Sequence, residues 1–198
     1  MMHDKQADKQ AGKQAMRRRL LAARKAHHAQ HAAQAADALL AQLPHLDIPP
    51  TNRIALYLPM GSEINVLPLL ERLHESGHPL CLPVCLADNQ PVLFRAYAPG
   101  DRLQPDAMNI DAPVGAAEEM QPDIIMLPLL GFDRQGGRLG RGGGYYDRTL
   151  ATIRAQRPVR ACGIAYDMQM VDKCPVEPHD QTLDAVLTDK AAYRFKWT

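Results

Sequence analysis

Glycine, arginine, tyrosine and aspartate crowd into one stretch, residues 131–148, which reads GFDRQGGRLGRGGGYYDR. Seven of the thirteen glycines lie between Gly131 and Gly144, a density that marks backbone built to approach something closely. Glycines let backbone N–H groups come near an anion, and a helix starting just beyond turns its positive end toward the same point. Arg138 and Arg141 add charges that no physiological pH removes, and Asp147 stands where the helix begins. This set of residues suits a phosphate chain. The plainer alternative is a solvated loop with no ligand, which leaves such a composition at a strand-to-helix junction without a use.

The elements around it can be read in chain order. From about Lys13 to Leu43 the sequence is alanine-rich and free of proline, which predicts a long helix, with residues 1–12 ahead of it expected to lack order. Lys13, Arg17 and Arg24 fall within about 40° of one another around that helix, while Arg18 and Arg19 point elsewhere and read as solvated. RIALYLP predicts a strand, MGSE a turn, and Val66–Ser76 a helix with Pro68 in its first turn and Gly77 closing it. PLCLPVCL and PVLFRAY predict two more strands, whereas residues 98–122 show no period and read as a surface excursion. The apolar run DIIMLPLLGF leads into the glycine-rich stretch, and Tyr146, Thr149, Leu150 and Ile153 follow at helical spacing to about Gln156. VRACGIAY and DAVLTD close the chain as strands, with a loop to His179 between them. Alternating strands and helices predict a single α/β domain over residues 1–198. Its sheet is mostly parallel and flanked by helices, and ligands bind at the carboxyl ends of the strands.

The stretch is neither of the two best-known phosphate loops. GxxxxGK(S/T) is absent, and Tyr145 stands where GxGxxG needs its last glycine. It resembles the signature of the 5-formyltetrahydrofolate cyclo-ligase family, roughly P-x-x-G-F-D-x-x-G-x-R-L-G-x-G-x-G-Y-Y-D. Pro128, Gly131, Phe132, Asp133, Gly136 or Gly137, Arg138, Leu139, Gly140, Gly142, Gly144, Tyr145, Tyr146 and Asp147 fill it. The resemblance implies ATP and 5-formyltetrahydrofolate as small-molecule substrates and Mg²⁺ as the metal. It implies ATP contacts from Lys13 and Arg17, in a K-x-x-L-R element with Met16 for leucine, and from Arg138 through Tyr146, Gly143 included. It implies folate contacts from Glu63, which holds the pterin, and from Arg141, Gly142, Gly143, Gly144 and Tyr145. Arg141 and Tyr145 are implied in catalysis, and Asp147 with Asp180 in holding the metal. The chain departs from the family pattern at Asn65 and Val66, after Glu63, and at Ala112, where a glutamate commonly precedes Pro113; Asp111 is the nearest acid.

Composition narrows the alternatives. A net charge of +1 and a lack of aromatic platforms speak against an RNA-binding module built on RRRLLAARK. No apolar run reaches membrane length, the N-terminus lacks the apolar core of a signal peptide, and a cytoplasmic monomer is expected. Cys81 and Cys85 on one strand lie roughly 13 Å apart, too far for a disulfide, so the four cysteines read as reduced, small apolar residues. His27 and His31 have chelate spacing but no third ligand nearby, and with His28 they read as surface residues. The competing function is a paralogue that keeps the nucleotide loop and binds another ligand, or binds folate without turnover.

Overall fold

The computed structural model describes residues 2–197, with side chains from Gln10 onward. The chain runs α1 (Met2–Gln42), a 3-10 turn Leu43–Leu46, β1 (Ile54–Ala55), α2 (Leu67–Glu75), β2 (Leu80–Val84) and β3 (Leu93–Ala96). It continues through β4 (Leu103–Pro105), β5 (Asp111–Pro113), β6 (Ile124–Pro128), β7 (Gly131–Phe132), β8 (Arg138–Leu139) and α3 (Tyr145–Arg154). β9 (Arg160–Ala165), β10 (Ala185–Thr188) and β11 (Ala192–Arg194) complete it. Seven strands form one sheet in the order β11-β10-β9-β6-β1-β2-β3. The five inner strands are mutually parallel, and β3 and β11 close the edges antiparallel. The expected α/β fold with a mostly parallel sheet is what forms.

The apolar runs are nearly continuous because the inner strands are covered on both faces. Ile124 and Met126 of β6 pack with Leu39 of α1 and Leu69, Leu70 and Leu73 of α2. Ile125 and Leu127, one residue out of step, pack on the other face with Leu150 and Ile153 of α3. That alternation is the period of two inherent in a strand. From β1 the chain crosses through α2 to β2 on one side; from β6 it crosses through α3 to β9 on the other. The winding reverses between β1 and β6, and a crevice opens outside the carboxyl ends of strands at such a point.

Three local expectations change. Residues 98–122 contain a small antiparallel hairpin, β4–β5, whose tip is organised by Asp106 accepting from the N–H groups of Cys85, Met108 and Ile110. Three-residue strands with two prolines carry no readable period. The glycine-rich stretch is partly a second hairpin, β7–β8, rather than loop throughout. His28 bonds the Tyr166 hydroxyl at 2.7 Å and His27 packs edge-on to the same ring, so these two are anchors of α1 and not free surface residues. The expected disorder of residues 1–12 falls mostly on side chains outside those described; Gln10, Ala11 and Gly12 are helical.

Candidate active site

The crevice at the β1/β6 switch is walled by three segments: the turn after β1, the glycine-rich stretch after β6, and the basic face of α1. Asp133 builds the second of these. It is buried, and its Oδ1 accepts from the N–H groups of Gln135 and Gly137 at 2.9 and 2.8 Å, while Oδ2 accepts from Cys174 at 2.8 Å. Gly136 makes the turn with φ +79°, and a side chain there would lie 2.6 Å from the Leu183 carbonyl. The turn sends β8 back so that Leu139 points into the core and Arg138 toward α3.

Arg138 is almost wholly buried. It donates to Asp147 Oδ1 at 2.7 Å and to the Gln181 carbonyl, and Gln181 N–H donates to that same Oδ1 at 2.9 Å. Burial pulls its guanidinium below its ordinary pKa, against the opposing charges of Asp147 and Asp180. One cation therefore brackets the start of α3 and the 177–184 segment, 30 and more residues apart in sequence. Between β8 and α3 the residues Gly140 to Gly144 carry only one side chain, that of Arg141. Gly142 (φ +111°) lies against the Arg17 guanidinium, and Arg17 Nε donates to the Gly140 carbonyl at 3.1 Å. Gly144 (φ +66°) opens α3.

The basic face of α1 packs against these segments instead of facing solvent. Lys13 is 5% exposed, and its ammonium lies 2.9 Å from Glu177 and 3.0 Å from Asp180. Burial alone would lower its pKa, but the two carboxylates outweigh that and hold it above its ordinary value. Asp180 is pushed up by burial and pulled down further by Lys13 and by the Glu177 N–H, which leaves it below the usual carboxylate range. Ligand atoms of Glu177, His179 and Asp180 all lie within 4.8 Å of one another. Arg24 is 1% exposed and donates to Ser62 Oγ and to the Leu129 carbonyl, both at 3.1 Å. Arg18 and Arg19 are exposed, in keeping with a solvated face.

Glu63 closes the turn after β1. Its Oε2 accepts from the Met60 N–H at 2.9 Å, and its Oε1 lies 3.9 Å from Arg141 Nη1. Burial raises its pKa, opposed by the Met60 N–H and then by Arg24 and Arg141. The hydroxyls of buried Tyr57 and half-buried Tyr146 both feel the Glu63 charge and titrate well above their ordinary value, mainly through desolvation. Tyr145 points the other way, its hydroxyl donating to Asp88 at 3.2 Å beside Met108 Sδ at 3.3 Å. At the altered positions, Ala112 is buried and Asp111 exposed in β5.

Two halves thus face each other. A glycine-rich loop pinned to a lysine–arginine helix adjoins a buried acid in the turn after the neighbouring strand. Residues 9–189 match the 5-formyltetrahydrofolate cyclo-ligase family. The chain belongs to that family. It is 35% identical over 149 residues to the 5-formyltetrahydrofolate cyclo-ligase of Escherichia coli, covering 72% of this chain and 80% of that protein. The cyclo-ligase of Mycolicibacterium smegmatis is 36% identical over 144 residues, 69% of this chain and 73% of the relative. The NMR structure of Aquifex aeolicus 5,10-methenyltetrahydrofolate synthetase superposes with a TM-score of 0.75 over 93% of each chain at 26% identity. The Mycoplasma pneumoniae 5,10-methenyltetrahydrofolate synthetase gives 0.70, also at 26% identity, over 90% of this chain and 99% of its own.

Seen as a cyclo-ligase, the chain brings Glu63, Arg141, Arg17, Arg138, Asp147, Lys13 and Asp180 around one crevice, while Tyr145 lies at its rim. The signature includes Asp133 but assigns it no role, and sequence reasoning passes over Tyr57, Glu177 and His179 as neighbours of these residues. Asp133 was visible as the aspartate of GFD, and Glu177 and His179 as neighbours of Asp180; Tyr57 carries no local signal at all.

Proposed function

We propose that this cyclo-ligase converts 5-formyltetrahydrofolate to 5,10-methenyltetrahydrofolate at the expense of ATP, releasing ADP and phosphate. The observation that carries the reading is the 3.9 Å approach of Arg141 to Glu63, which joins the phosphate-type cradle to the folate-type acid. The formyl oxygen is a poor leaving group, so cyclisation requires its activation. Transfer of the γ-phosphoryl group forms an O–P bond to the formyl oxygen and breaks the bond to ADP. Nitrogen-10 then attacks the formyl carbon and loses its proton, and phosphate leaves with the oxygen. Little covalent chemistry falls to the protein; alignment and neutralisation of phosphoryl charge are its task.

Each residue has a part in that task. The N–H groups of Gly140, Gly142, Gly143 and Gly144, the start of α3 at Tyr145 and Tyr146, and Lys13 with Arg17 hold the phosphates. Arg138 keeps the cradle shaped from behind, and Leu139 anchors it in the core. Arg141 stabilises the charge of the group in transit, Glu63 orients the pterin, and Tyr145 swings from the rim to the formyl end. The carboxylates of Asp147 and Asp180 both act on Arg138, and a lysine ammonium already lodges on Asp180, so this is a place that accepts a cation. An oxygen-only pair of acids suits Mg²⁺, which would supply charge neutralisation of the phosphates there. A monomer is part of the same reading. The four cysteines are unpaired thiols, which fits the cytoplasm. Among the described residues no helix is long and apolar enough to cross a membrane.

The test is spectrophotometric. Protein, 5-formyltetrahydrofolate and Mg-ATP are mixed, and growth of the methenyl chromophore is followed with parallel release of ADP. A protein that binds both substrates without forming the chromophore would instead be the non-catalytic paralogue.

A further inference from the structure

Two buried polar atoms beside Glu63 have no hydrogen-bond partner among the described residues: Arg24 Nη2 and the Tyr57 hydroxyl. Arg24 is 1% exposed and Tyr57 4%. Leaving a buried donor unpaired costs about 1–3 kcal/mol, more for a charged group, and native proteins avoid it except where another group completes the bond. The rest of Arg24 is held firmly. Nε is fixed by Ser62, the residue next to Glu63, and Nη1 by the Leu129 carbonyl at the end of β6, so Nη2 is the one nitrogen left over. Glu63 is close enough to push up the pKa of both Arg24 and Tyr57, and Arg24 and Tyr57 act on each other. Arg141 reaches the same acid from the opposite wall.

We propose that Arg24 Nη2 and the Tyr57 hydroxyl form a donor pair that reads a ring carbonyl of the second substrate, next to the N–H groups taken by Glu63. The inference rests on the cyclo-ligase reading and extends it. A carboxylate can recognise only donors. A pterin edge presents donors, the 2-amino group and ring nitrogen 3, directly beside an acceptor, the oxo group at carbon 4. An acid alone pairs with those two donors and leaves the oxo group beside them without a partner. An acid with two orphaned donors matches it atom for atom. Arg24 also belongs to the α1 face that carries Lys13 and Arg17. Eleven residues of helix separate Lys13 from Arg24, roughly 16 Å at 1.5 Å per residue. One rigid element thereby spaces the phosphate contacts from the ring contacts, so a single helix sets the distance between the two substrates.

Two variants test this by equilibrium binding of 5-formyltetrahydrofolate and of its 4-amino-4-deoxy analogue, without ATP. Tyr57→Phe removes an oxygen that has no protein partner, so the fold should keep or slightly gain stability. It should weaken 5-formyltetrahydrofolate about tenfold, the worth of one buried hydrogen bond, and leave the analogue unchanged. Wild-type preference for the oxo compound then shrinks by the same factor. Arg24→Gln, which can still reach Ser62, should shrink it further, with ATP affinity held. Equal weakening of both compounds, or no change in Tyr57→Phe, overturns the donor pair. Failure of the wild-type protein to bind 5-formyltetrahydrofolate at all would overturn the cyclo-ligase reading itself, and the pair with it.

Discussion

Replacing Asp133 with asparagine should destabilise the protein by about 3 kcal/mol, although the side chain keeps its size and lies away from any proposed substrate contact. The figure follows from its three hydrogen bonds. In Asp133→Asn the amide oxygen can keep the place of Oδ1 and go on accepting from Gln135 and Gly137. Those bonds lose their charge assistance, about 1 kcal/mol between them, since bonds to charged groups are worth roughly twice neutral ones. The amide nitrogen then faces the Cys174 N–H, donor against donor. Cys174 is 1% exposed, so its N–H is stranded without solvent, at about 1–3 kcal/mol. For a chain of this size about 3 kcal/mol is a fall of roughly 6–12 °C in Tm. Guanidinium denaturation followed by the single tryptophan reads it directly. Trp197 is buried, bonded to the Leu46 carbonyl and stacked under Arg160, so its emission reports loss of tertiary structure. Activity should fall even below the melting range, because the Asp133 turn aims β8 and with it Arg138. A midpoint within 0.5 kcal/mol of wild type, on the scale of an ordinary surface change, would show that Asp133 does not organise the cradle.

Other outcomes follow from the same geometry. Arg141→Ala should lower kcat about a hundredfold or more, the usual effect of removing a preorganised charge-stabilising donor, while Tyr145→Phe costs less and Tyr145→Ala raises KM for folate rather than for ATP; steady-state kinetics varying each substrate separately decides it. Asp147→Asn and Asp180→Asn should each raise the Mg²⁺ concentration needed for half-maximal rate, and wild-type magnesium curves in both would remove these residues from the metal site. Deletion through Met16 should weaken ATP binding by calorimetry, because it removes Lys13 and cuts α1 next to Arg17. Burial raises the Glu63 pKa, so its folded value exceeds the unfolded one, and the ionised side chain opposes folding above that value, with relief as pH falls through it. KM for folate should accordingly rise on the acid side at a pH above the ordinary glutamate range, and Glu63→Gln should lose this limb, bind folate poorly, and be no less stable at pH 8. A Glu63→Gln protein that keeps the acid limb would assign it to another group.

How much of this was legible beforehand depended on how local the cause is. The sheet could be read because a strand covered on both faces must be apolar throughout: DIIMLPLL and VRACGIAY announce themselves. The helix faces can be read because 100° per residue is a property of the backbone, which puts Lys13, Arg17 and Arg24 on one face without saying what that face meets. The glycine-rich stretch was legible because few residue types tolerate its backbone angles, as at Gly136, Gly142 and Gly144. The short hairpins β4–β5 and β7–β8 were not, since two or three residues contain no period.

What joins distant segments belonged to the tertiary structure alone. Nothing in the sequence distinguishes Arg138, which is buried against Asp147 and Gln181, from Arg141, which stands half-exposed three residues on. Both are arginines beside glycines, and the strand pairing of β7 with β8 decides which one turns inward. Lys13 finding Glu177 and Asp180, and Arg24 and Tyr57 keeping a free donor each beside Glu63, depend likewise on where α1 lies across the sheet. Periodicity and backbone preference act over a few residues and are written in order along the chain. Desolvation and pairing act through space, so their result exists only once packing has chosen the neighbours.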